Sequence, residues 1–174
     1  METIACIKTR RSRRKFLDKD IPDELLEKII DAGKYAPSSM NSQPWEFIIV
    51  KGNEIKKKLA ELKGKDNEEC LLGAKVIIIV CVDMEKSATR WVEDGVCAAI
   101  NILLAIHELG LGAVYVTGYN NKEPEITDGL KKALNLPEKI MPVVLIPLGY
   151  PDPNEKIEEK ELRGIKEITH IDSW

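Results

Sequence analysis

The run Lys75–Val82, KVIIIVCV, is the feature that most constrains the fold, because it is apolar from its second residue onward and mostly β-branched. A strand with one wet face alternates apolar and polar residues, and this one does not. It therefore reads as a strand covered on both faces. Trp45–Val50, Ala113–Thr117 and Val143–Leu148 supply further strand patterns.

Helical periodicity fills the intervals. Pro22 to Tyr35 places proline in a first turn, Asp23 and Glu24 at the positive end, and Leu25, Leu26, Ile29, Ile30 and Gly33 on one face. Arg90 to Leu109 reads as a central, well-buried helix ending in Gly110 and Gly112. Met1–Thr9 and Glu123–Leu134 read as helices, Asn53 as the cap of a short helix through Leu62, and Lys63–Glu69 as a loop. At 174 residues this predicts one α+β domain over 1–174, with a charged arm over 151–174. The arm still carries Ile168, Ile171 and Trp174, so it should pack on another surface.

Composition excludes several classes. Charged residues make up 32% and hydrophobic ones 44%, the pattern of a globular chain. No apolar stretch is long enough to cross a bilayer of roughly 30 Å, and the N-terminus lacks an apolar secretory core, so a cytoplasmic location without a membrane role is expected. A net charge of −3 argues against nucleic acid as the main partner. Cys6, Cys70, Cys81 and Cys97 lack CxxC spacing, and His107 and His170 lie far from any paired cysteine, so no metal is expected. His107, on an otherwise apolar helix, reads as structural.

Two segments can carry chemistry. Arg10-Arg11-Ser12-Arg13-Arg14-Lys15 packs guanidinium forks and a hydroxyl into a stretch that suits a phosphate, whose oxygens they meet two at a time. The same run suits a solvated face, a localisation signal or a nucleic-acid patch. The loop Pro37-Ser38-Ser39-Met40-Asn41-Ser42-Gln43-Pro44 offers amides and hydroxyls that can read the edge of a flat heterocycle, or simply turns the chain into the following strand.

Taken together, RRSRRKF and APSSMNSQPW resemble the nitroreductase family, and the similarity continues through WVEDGVCAAINILLAIHELGLGAVYVTGY, MPVVLIPLGYP and ELRGIKEITHIDSW. The resemblance implies a nitroreductase-like α+β fold: a central, mainly antiparallel sheet flanked by helices, with the C-terminal arm exchanged in a homodimer whose FMN sites lie at the subunit interface. It implies an FMN-dependent oxidoreductase passing hydride from NADH or NADPH through flavin N5 to a small electrophilic acceptor, a nitroaromatic or quinone, by ping-pong kinetics. Specialised relatives, such as a reductive dehalogenase, and a flavin-binding redox module with little turnover are the alternatives.

By the same resemblance Arg10, Arg11, Ser12 and Arg14 grip the phosphate, ribityl chain and pyrimidine edge, while Arg13 falls at a variable position. Pro37, Ser38, Ser39 and Asn41 reach the flavin from the partner subunit. Thr117 and Gly118 match the strand end whose backbone N–H approaches N5, although threonine replaces the acidic residue of some members. Arg163 matches a late basic residue that closes on the phosphate. The segment between Val82 and Arg90, only DMEKSAT, lacks the helices that cover the flavin in larger relatives. A family lysine before the central strand has no equivalent near Glu69 and Cys70, which makes Arg14 the candidate cation for flavin N1. No side chain is nominated as catalytic, because the flavin supplies the bond chemistry.

Overall fold

The computed structural model describes residues 1–174. The doubly covered strand is β2, Val76–Asp83, whose eight residues are all buried. It lies between β1 (Trp45–Val50) and β5 (Ile140–Gly149), and all pairings in the sheet are antiparallel. The far side of β5 pairs with two short strands, β3 (Gly112–Ala113) and β4 (Val116–Thr117).

Alternation of side chains along β2 feeds two separate cores. Val76, Ile78, Val80 and Val82 point towards α2 (Asp23–Lys34) and α5 (Trp91–Glu108), meeting Leu26, Ile29, Ala98 and Ile102. Ile77, Ile79 and Cys81 point the other way, onto Leu59 of α3 (Asn53–Lys63), Leu71 of α4 (Lys65–Gly73) and Leu130 of α6 (Pro124–Ala133). Each fully buried isoleucine contributes roughly 2 kcal/mol, which explains why the run tolerates no polar position. A first helix, α1 (Thr3–Thr9), packs on α5.

Two expectations need correction. Lys63–Glu69 is not a loop. Gly64 takes φ +69°, ends α3, and the chain re-enters a helix at Lys65, with Asp66 and Glu68 at the new positive end and Cys70 and Leu71 buried. The strand expected over Ala113–Thr117 is broken in its middle. Val114 N–H donates to Pro147 O at 3.3 Å, and proline has no N–H to return the bond, so the ladder lapses between β3 and β4.

All four cysteines are free thiols; three are buried and Cys97 is half-buried. Burial pushes the Cys81 thiol up to about 12, so it is inert packing. No helix is long and apolar enough to cross a membrane. Beyond Pro151 the arm leaves the sheet, forms only the single turn α7 (Ile165–Ile168), and exposes Leu162, Ile165, Ile171 and Trp174.

Candidate functional site

Backbone bonds hold the basic segment against the end of the sheet. Arg13 N–H donates to Ala113 O at 2.9 Å, Ser12 bridges Ala113, and Leu17 N–H donates to Tyr150 O at 2.8 Å. This anchoring leaves side chains free. Arg10, Arg11 and Arg14 have no carboxylate within ion-pair distance, whereas Arg13 lies 3.3 Å from Glu155 and Lys15 lies 3.3 Å from Glu69. In a chain with more acids than bases, unpartnered arginines mark a place kept for another anion.

That place is a cavity of about 790 Å³, lined by Arg11, Ser12, Arg14, Lys15 and Glu69, which pairs with Lys15, on one side and by residues 154–160 of the arm on the other. Lys160, which the sequence reading overlooked, is brought to it. Slight desolvation, then the nearby Arg10 and Arg11, hold the exposed Lys160 below its ordinary value, as expected where cations crowd one another. Glu158 and Glu159 line the arm side and are exposed. Arg163 is not at the cavity: its guanidinium donates to Glu167 O at 2.9 Å within the exposed arm.

Arg10 and Arg11 are braced from behind. Thr9 Oγ1 donates to Ala5 O at 2.7 Å and lies 2.9 Å from His107 Nε2 at the end of α5. Burial, and then Arg10, hold His107 below its ordinary value, so the ring is neutral; with the Thr9 proton committed to Ala5 O, the His107 Nε2–H donates to Thr9 Oγ1. Arg11 Nη1 donates to Lys8 O at 2.8 Å.

On the open edge of the sheet, Gly118 N–H donates to Val143 O at 2.8 Å. Hydrogen-bonded and open pairs alternate in an antiparallel ladder, so Thr117, opposite Val144, turns its own N–H away from β5. Thr117 is exposed and Gly118 buried. A Cβ at Gly118 would meet Pro142 O at 2.9 Å, so the close approach that glycine permits here is to β5 itself. Trp91 and Tyr119 stand beside this edge as a T-shaped pair with centroids 4.8 Å apart.

The loop Pro37–Pro44 belongs to the other end of the sheet, where Asp83 N–H donates to Pro44 O at 2.8 Å. It includes the 3-10 turn Ser39–Asn41 and holds Met40, Asn41 and Gln43 at φ between 46° and 54°. Each left-handed residue costs about 1 kcal/mol, so the loop needs external support. Gln43 N–H donates to Ser38 Oγ at 3.1 Å and Gln43 Nε2 to Asn41 Oδ1 at 3.3 Å. Ser39 N–H donates to Asp94 Oδ1 at 2.9 Å. Asp94 also escaped the sequence reading, because an acid in the first turn of a helix looks like ordinary dipole complementarity.

Register along β5 measures the separations. Ala113 pairs with Leu148, Thr117 with Val144, and Trp45 through Val82 with Met141. The step from the arginines to Thr117 is thus about 13 Å, and from the arginines to the loop about 23 Å, at ~3.3 Å per residue. Within one chain the structure brings Arg11, Ser12 and Arg14 together, with Thr117 within reach, and leaves Pro37, Ser38, Ser39 and Asn41 apart.

Comparison with known proteins matches this arrangement to a family. The sequence model of the Nitroreductase family matches residues 7–70 and 64–150. A Methanothermobacter thermautotrophicus protein, provisionally named an NADH dehydrogenase/NAD(P)H nitroreductase, is 42% identical over 88% of this chain and 80% of its own length. A provisionally named NADH dehydrogenase/NAD(P)H nitroreductase from Parabacteroides distasonis superposes with a TM-score of 0.89 at 37% identity, covering 99% of this chain and 98% of the other. A provisionally named nitroreductase from Desulfovibrio desulfuricans, solved in complex with FMN, superposes with a TM-score of 0.83 at 30% identity, covering 99% and 97%. The chain belongs to the nitroreductase family.

Proposed function

We propose that the chain is an FMN-dependent oxidoreductase, built as one domain with a C-terminal arm, whose flavin sites are completed by a second copy. The observation that carries this reading is the set of cations without an ion-pair partner, Arg11, Arg14 and Lys160 at one cavity with Arg10 close to Lys160, about 13 Å along the sheet edge from an outward backbone N–H at Thr117. A phosphate at one end and a heterocycle at the other fit that spacing and donor set. Bound FMN supplies the redox chemistry, taking hydride from NADH or NADPH and passing it to a small electrophile such as a quinone or nitroaromatic.

The protein's own residues bind and orient. Arg10, Arg11, Arg14 and Lys160 neutralise the phosphate, Ser12 adds a hydroxyl, and Thr117 presents its N–H to the ring while Gly118 lets the edge lie flush on β5. Arg14, exposed and unpaired, is the cation available to the electron-rich side of the ring. Trp91 and Tyr119 wall the space where donor and acceptor take turns, consistent with ping-pong kinetics.

The loop with Pro37, Ser38, Ser39 and Asn41 lies about 23 Å from its own arginines, which favours its serving the site of another copy. Ile4 and Ile7 on α1, Ile100 on α5 and Tyr35 are apolar and 43–74% exposed, and Met40 is 97% exposed, as a surface awaiting a second subunit would be. The arm, with Ile165, Ile168, Ile171 and Trp174 uncovered, is suited to exchange onto that subunit and to carry Arg163 with it.

The test is spectroscopic. After reconstitution with FMN the protein should be yellow, with one flavin per chain, and should bleach when NADH or NADPH is added anaerobically. A colourless protein after reconstitution contradicts the reading, and a yellow protein that neither donor bleaches reduces it to a binding module.

A further inference from the structure

Asp94 is almost fully buried, at 4% exposure, in the first turn of α5, and both of its oxygens are engaged by different parts of the chain. Oδ1 accepts the Ser39 N–H at 2.9 Å, and Oδ2 accepts the Ser87 hydroxyl at 2.7 Å. Ser87 is itself 6% exposed. Arg90, the nearest cation along the chain, pairs with Glu93 at 3.2 Å and leaves Asp94 to neutral donors. A buried carboxylate without a cation is retained at a cost in solvation, which the start of a helix offsets only in part.

The two donors are not equivalent. Ser39 opens the strained turn that presents Ser38, Ser39 and Asn41, whereas Ser87 lies in the short Asp83–Thr89 segment, where the family resemblance implies covering helices in larger relatives. One side chain therefore joins the ring-reading loop to the segment beside the acceptor space. We infer that Asp94 is a positioning residue that holds the loop and the Ser87 segment as a single unit, fixing the loop for the flavin and the segment for the acceptor. This rests on the proposed function, in which the loop faces a flavin.

The chemistry of the pair suggests a rescue. In Asp94→Asn the carboxamide oxygen can still accept from Ser39 N–H, and its NH2 can donate to Ser87 Oγ, so both links survive without the charge. In Asp94→Ala both are lost and the Ser39 N–H is orphaned. In Ser87→Ala only the link to the short segment is lost.

With FMN-reconstituted protein and 1,4-benzoquinone as acceptor, Asp94→Ala should weaken FMN binding about tenfold or more, and Asp94→Asn should stay within about threefold of the parent. Ser87→Ala should raise the benzoquinone KM about threefold while leaving FMN affinity within about twofold. In flavin-free protein, amide exchange at Ser39 should accelerate in Asp94→Ala and remain slow in Asp94→Asn. The exchange measurement needs no flavin, so it separates failure of this inference from failure of the functional reading.

Equal FMN affinity in Asp94→Ala and the parent would overturn the inference. So would an Asp94→Asn variant as impaired as Asp94→Ala, which would make charge and not hydrogen bonding the cause. If Asp94→Ala does not fold, Ser87→Ala and Asp94→Asn decide: a Ser87→Ala enzyme with unchanged benzoquinone KM overturns the link.

Discussion

The basic segment and the Pro37–Pro44 loop occupy opposite ends of the same sheet and are built on opposite plans. The arginines hang from a well-bonded backbone, through Ser12, Arg13 and Leu17, and the side chains of Arg10, Arg11 and Arg14 are left without a carboxylate. In the loop the side chains bond inward, Ser38 to Gln43 and Asn41 to Gln43, and the backbone carries the strain at Met40, Asn41 and Gln43. One region stores unsatisfied charge, the other unfavourable conformation. Charge is visible in a sequence, whereas the support for a strained loop comes from a residue dozens of positions away.

This contrast predicts where substitutions act. The largest effect should come from Arg10→Ala combined with Arg14→Ala, which removes two charge-assisted grips and should weaken FMN binding by about a hundredfold or more in equilibrium titration. Lys160→Ala should follow at about tenfold, and should exceed Arg163→Ala because only Lys160 lines the cavity within its own chain. An Arg163→Ala loss larger than that of Lys160→Ala would show that the arm delivers Arg163 across a dimer instead. Gly118→Ala, whose new Cβ would meet Pro142 O at 2.9 Å, should cost about 1–3 kcal/mol in thermal unfolding. Arg14→Gln should lower the potential of the bound flavin, read by anaerobic titration against a reference dye, and an unchanged potential would remove Arg14 from the ring.

The smallest expected effect is a pH dependence centred on His107. Its folded pKa lies below the ordinary value of 6.5, through burial and then Arg10. The unfolded chain therefore binds more protons as pH falls past that value, and stability drops with falling pH. A bound phosphate would offset Arg10 and Arg11, so FMN should shrink the drop and shift the His107 ring resonances towards protonation at pH near 6.5. A His107 titration unaltered by FMN would detach the histidine from the phosphate site.

Much of the architecture was legible because hydrophobic period reports burial directly. The unbroken run in β2 announced two covered faces, and the stripes on α2 and α5 announced their partners. What escaped depended on single residues with non-local causes. Gly64 converted an expected loop into α4, and Pro147, in another strand, split the expected Ala113–Thr117 strand. At the site, the arginines were conspicuous by density, while Lys160 was hidden among the charges of the arm and Asp94 behind an ordinary helix start. Arg163 attracted attention by its place in a motif, yet it is Lys160 that the folded chain brings beside Arg10 and Arg11.

In the proposed arrangement each flavin is held by two copies of the chain, one supplying the phosphate grip and Thr117, the other the Pro37–Pro44 loop against the ring. Mixed dimers test it most directly, combining an Arg10→Ala/Arg14→Ala subunit with a Ser39→Ala/Asn41→Ala subunit, each of which alone should bind FMN poorly. If the site is shared, every mixed dimer regains one intact site, and random exchange at equal amounts should restore about a quarter of the flavin binding of the parent. Absence of any recovery after exchange, with mixed dimers demonstrated by mass, would contradict it.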